Sequence, residues 1–177
     1  MSIHDAIARL EEIELFAVTT SWEGEETPRY AYVSSEVAKF LWEPDENDKR
    51  LSKRSKGLVD DFVEGGHITV GWRPHDKADC IMARVESPDP SYEIWDFRCI
   101  APKPGVRILG GFAEKDTFLC ITWDYRENFE PESPGEESRW PAKIEECINE
   151  WRRLLGNEKP FKGRSVNEYL SKPWEVV

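Results

Sequence analysis

The chain has 177 residues, 39% hydrophobic and 12% aromatic with eight tryptophans, enough for one core and a single domain spanning residues 1–177. Lys and Arg number 24 against 35 Asp and Glu, a net charge of −11; phosphate backbones are held chiefly by Lys and Arg, so nucleic acid is disfavoured as a partner. No apolar run is long enough to cross a bilayer, and the acidic start "MSIHDAIARLEEIE" lacks the basic segment and apolar block of a secretory signal, so a cytoplasmic protein is expected.

Ser2 and Asp5 have capping-box spacing, and Ile3, Ile7 and Leu10 recur at helical intervals, which predicts a helix over about Ile3 to Glu12. "ELFAVTTSW" reads as a strand, "EGEETP" as a loop, "RYAYV" as a short strand and "SSEVAKFLW" as a capped helix. After the acidic break "EPDEND", a helix is expected from about Asp48 to Glu64, with Leu51, Leu58, Val59, Phe62 and Val63 as its buried stripe. It carries the basic cluster Lys49, Arg50, Lys53, Arg54 and Lys56 near its start and Asp60, Asp61 and Glu64 near its end. That order opposes the helix macrodipole. The cluster reads either as a solvated face or as a patch for an acidic protein partner.

Strands follow in "HITVGW", "DCIMARVE", "YEIWDFRCIA", "VRILGGF" and "TFLCITWDYR". "RPHDKAD" between the first two reads as a hairpin turn, although His75, Asp76 and Asp79 lie close enough in sequence to suggest a metal. "ENFEPESPGEES" is an acidic loop, "RWPAKIEECINEWRRLLG" a helix with Trp140, Ile144, Ile148, Trp151 and Leu155 on one face, and "VNEYLS" a short helix with a Ser165/Glu168 capping box. The four cysteines, Cys80, Cys99, Cys120 and Cys147, form no C-x-x-C pair and read as reduced, structural thiols.

The turn at Glu114–Thr117 sets a register in which Ala113 faces Phe118, Phe112 faces Leu119 and Ile108 faces Trp123. Alternation then gathers Trp95, Phe97, Ile108, Phe112, Leu119, Ile121 and Trp123 on one buried face, with Trp151 also in the core. The opposite face holds Asp96, Arg98, Arg107, Thr122 and Asp124, with Arg107 across from Asp124. Two readings stand for it: a structural ion pair, or a shallow site offering two guanidiniums to a phosphate or carboxylate. No nucleophile elbow, zinc-protease motif or phosphate loop is present, and no cofactor is expected.

The segment "YEIWDFRCIAPKPGVRILGGFAEKDTFLCITWDYR", Tyr92–Arg126, resembles the RelE/HigB-like toxins of bacterial toxin–antitoxin pairs: an aromatic–acidic–x–Arg strand, an Arg-led strand, then an aliphatic strand. The resemblance implies an α+β fold, a mainly antiparallel sheet of five to seven strands with helices on one side, built on a RelE-like core with an N-terminal extension. It also implies that Arg98 and Arg107 match the arginines of the family's RNA-facing sheet. The chain departs from that pattern in its acidity, in Asp96 and Asp124 among the arginines, and in lacking a Lys-rich segment after the last strand. No residue matches the family's terminal catalytic base. The expectation is therefore a protein-binding module on such a scaffold, with a ribonuclease using Arg98, Arg107, Asp96 and Asp124 as the alternative.

Overall fold

The computed structural model describes residues 2–11, 13–19, 28–73, 79–131 and 133–177. The loop expected at 23–27, the turn residues His75 and Asp76 and the end of the first helix at Glu12 lie outside them. Chain order is α1 (Ile3–Leu10), β1 (Leu15–Ala17), β2 (Tyr30–Ser34), α2 (Ser35–Trp42), α3 (Lys49–Val63), β3 (Ile68–Gly71) and β4 (Met82–Arg84). It continues with β5 (Trp95–Cys99), β6 (Val106–Glu114), β7 (Thr117–Tyr125), a 3-10 turn (Arg126–Phe129), α4 (Trp140–Leu155), α5 (Val166–Tyr169) and β8 (Trp174–Val176).

Local signals place most of these elements. Ser2 and Asp5 close the capping box on α1, and Ser34 Oγ accepts from the Val37 amide to start α2. The capping box expected for α5 does not form; Glu168 accepts from the Arg164 amide instead.

All eight strands join one sheet in the order β1-β2-β7-β6-β5-β4-β3-β8. The fold is α+β, but the sheet is mixed rather than mainly antiparallel: β2–β7, β3–β4 and β3–β8 run parallel. The hairpin expected across "RPHDKAD" is therefore absent, since Val70 sits beside Met82 in a parallel pair. β8 was not legible in the sequence. It is held at the edge through Arg29, which is 1% exposed and donates to the carbonyls of Gly66 (2.8 Å) and Ser171 (2.9 Å).

The β6–β7 register runs as expected from Val106↔Tyr125 through Leu109↔Thr122, including Arg107↔Asp124. A bulge then shifts it, giving Gly110↔Cys120 and Phe112↔Phe118 in place of Ala113↔Phe118. Leu119 and Ile121 consequently turn to the opposite face from Phe112 and Phe118. Facing Ala101 with Val106 across the turn "PKPG" would pair Phe97 with Gly110; Phe97 pairs with Ile108 instead, a shift of two residues that keeps every side chain on its face.

Helices cover both faces, not one. On one side α2 and α3 bury Phe40, Leu41, Val59 and Phe62 against Phe97, Ile108, Phe112 and Phe118. On the other, α1 and α4 bury Ile7, Ile144, Ile148 and Trp151 against Leu109, Leu119 and Ile121. Trp123, expected in the core, is only partly buried and stacks on Phe40 at 3.7 Å between ring centroids. The four cysteines are buried free thiols. Among the described residues no helix is long and apolar enough to cross a membrane.

Candidate functional site

Strand alternation puts Asp96, Arg98, Arg107 and Asp124 on the face that also carries Leu109, as expected. Their partners differ from expectation. Asp96 is wholly buried, and its carboxylate accepts from Arg98 Nε at 3.1 Å. Arg107 Nε lies 3.3 Å from the other oxygen, within ion-pair reach but without hydrogen-bond alignment, and Arg107 Nε and Nη1 have no acceptor. Arg98 and Arg107 are themselves register partners, so one carboxylate serves two facing guanidiniums. Burial pushes the Asp96 carboxyl up, opposed by the two arginines; burial pulls Arg107 down, opposed by Asp96 and reinforced by Arg98 and Arg126.

Asp124 stands beside Arg107 across the strands but is held by Lys143 Nζ at 2.7 Å and Asn128 Nδ2 at 2.5 Å. The expected Arg107–Asp124 ion pair is thus replaced by two separate ones, Arg107–Asp96 and Lys143–Asp124. Beside Asp124 lies a cavity of about 580 Å³ lined by Glu36, Thr122, Trp123, Lys143 and Glu146 among others. Burial raises the Glu36 carboxyl, while the Trp123 amide it accepts from at 3.4 Å holds it back. Its carboxylate partners, Asp124 foremost, push the Lys143 ammonium up and favour its charged form. Glu36 and Lys143 come from α2 and α4, and no sequence signal joined them to the sheet residues. Among the described residues no three His, Cys, Asp or Glu side chains converge as a metal site.

The basic cluster sits where the sequence places it, on the first two turns of α3. Lys49 is neutralised by Glu46 at 2.5 Å and Lys56 by Asp60 at 2.6 Å. Arg50, Lys53 and Arg54 are exposed, and no described carboxylate lies within ion-pair distance of them. These three, with Gly57 and Pro102, line an open cleft of about 380 Å³. The first turn of the helix has no acidic residue, and the Asp48 side chain makes no capping bond. Asp48 instead accepts from the Tyr125 hydroxyl, which lifts the phenol to about 12. His67 is exposed and lies 3.5 Å from Glu175.

No family model, curated protein or solved structure matches this chain. The likeness to RelE/HigB-like toxins rests on the sequence pattern of Tyr92–Arg126.

Proposed function

We infer that this protein is a binding module whose α3 face, Lys49 to Lys56, receives an anionic surface of a protein partner. One observation carries the reading: Arg50, Lys53 and Arg54 are exposed, with no carboxylate of the described residues in ion-pair reach, in a chain of net charge −11. Like charges at helical spacing near a helix N-terminus each cost a few tenths of a kcal/mol or more, so a face kept this way gains from a partner's anion. At physiological salt the screening length is about 8 Å, so the local patch outweighs distant carboxylates at contact range.

The ribonuclease alternative needs Arg98 and Arg107 to reach a phosphate. The burial of Arg107 and the engagement of the half-buried Arg98 by Asp96 weigh against it, as does the repulsion of a polyanion by the whole chain. A pull-down with the unmodified protein and with the Arg50→Glu, Lys53→Glu, Arg54→Glu triple variant tests the reading. A partner retained by the first and lost by the second is expected; an unchanged partner set would remove α3 from the proposal.

A further inference from the structure

We propose that the cleft on α3 is a phosphate-recognition site that reads a single phosphorylated side chain on the partner; this rests on α3 being the partner-binding face. Arg50, Lys53, Arg54 and Gly57 stand at i, i+3, i+4 and i+7 and so share one stripe of the helix. The pairing of charges along α3 is selective. Lys49 and Lys56, which do not line the cleft, have carboxylates; the three cations that line it have none.

The shape of the cleft follows from two residues. Gly57 has nothing within 4 Å of where a Cβ would sit, so the stripe ends in an opening rather than a side chain. Pro102, from the turn between β5 and β6, forms the facing wall and brings no N–H of its own. A volume of about 380 Å³ accepts a group of several heavy atoms, with apolar surface for its carbon stem and cations for its head.

The charge count selects the ligand. A carboxylate carries one negative charge, whereas a phosphomonoester carries about −1.5 to −2 at neutral pH with three strong acceptor oxygens. Two guanidiniums supply forked, bidentate donors and a lysine adds a point charge, the donor set suited to that head group. The patch is also bracketed. Asp45 and Glu46 precede it, and Asp60 and Asp61 follow it. A long acidic run or an anionic bilayer laid along the helix would meet those carboxylates, while a compact dianion would not. Membrane surfaces are moreover read by clusters of about four to eight basic residues, and only three of the five here lack a carboxylate partner among the described residues.

The test follows backbone amide shifts in the full chain during titration with three probes: N-acetyl-phosphoserine amide, N-acetyl-aspartate amide and vesicles of phosphatidylserine with phosphatidylcholine. The expected result is saturable shifts confined to Arg50–Gly57 and Pro102's neighbours, with phosphoserine binding at least tenfold tighter than aspartate. Arg50→Gln with Arg54→Gln should abolish them. Gly57→Leu, which fills the cleft and leaves every charge in place, should abolish them too. Equal affinity for phosphoserine and aspartate overturns phosphate recognition while leaving the anionic-partner reading intact. Binding to vesicles but not to phosphoserine overturns it in favour of a lipid surface, and absence of any shift on α3 overturns it outright. If the pull-down partner is also unaffected by charge reversal, the underlying reading falls separately.

Discussion

Arg98 and Arg107 face each other across β5 and β6 with a single buried carboxylate, Asp96, within 3.3 Å of the Nε of each. Two guanidiniums this close repel, and Asp96 is what allows Arg107 to be buried beside the half-buried Arg98. Asp96→Asn should therefore cost about 3–5 kcal/mol, the range for removing one partner of a buried charge pair. Arg107→Met removes donors that have no acceptor and relieves the repulsion on Arg98, so it should change stability by less than about 1 kcal/mol. Denaturant unfolding checks both; equal losses would show that the Arg107–Asp96 pair, and not Asp96 alone, holds the cluster.

Two glycines should respond in opposite directions. Gly57 lies mid-helix with open space around its Cβ position, so Gly57→Ala should stabilise by about 0.8–1 kcal/mol through helix propensity alone. At Gly110 an added Cβ would sit 1.8 Å from the Leu119 carbonyl oxygen, inside the bulge. Gly110→Ala should cost about 1–3 kcal/mol or more, as forced overpacking does. A thermal melt of each variant decides the matter, and a neutral Gly110→Ala would mean that the bulge is not where it is drawn.

The contrast between those glycines also marks how far the sequence could be read. Strand alternation placed Asp96, Arg98, Arg107 and Asp124 on one face, because period-2 patterning survives register shifts of two. It did not reveal the bulge, although Gly110–Gly111 in mid-strand was its available signal. The run "FLCIT" does not alternate apolar with polar, and that was the sign that both faces of β7 are covered. Which carboxylate each arginine takes depends on burial of Asp96 and on Lys143 arriving from α4, and neither is a local property. The parallel pairs β2–β7 and β3–β8 join segments distant in sequence, so no turn signal announces them, and β3 and β4, neighbours in sequence across what reads as a hairpin turn, pair in parallel instead. The basic stripe of α3 was legible because helical spacing is local; its lack of partners was not.

Tyr125 ties the sheet to the start of α3, and its titration should report that tie. The hydrogen bond to Asp48 is the largest cause raising the phenol to about 12 from 10. The folded state holds the neutral form, so this contribution to stability is whole below pH 10 and is lost as pH rises through 12. The ultraviolet difference titration between wild type and Tyr125→Phe should centre near 12; a centre near 10 would mean that the phenol is free in solution.

The purified protein is expected not to cleave mRNA, alone or on ribosomes. Arg107 is buried and Arg98 half-buried, both engaged by Asp96, and the net charge of −11 works against association with a polyanion. Gel analysis of a ribosome-primed transcript gives the answer. Site-specific cleavage that Arg107→Ala abolishes would restore the toxin activity to this sheet face.

The anionic-partner reading of α3 is tested most directly by amide hydrogen exchange on the complex with the partner recovered by pull-down. Slowed exchange should concentrate at residues 49–57 and around Pro102, with β6 and β7 little changed on binding. Protection confined to the Asp96–Asp124 face, with α3 exchanging as in the free protein, would contradict it.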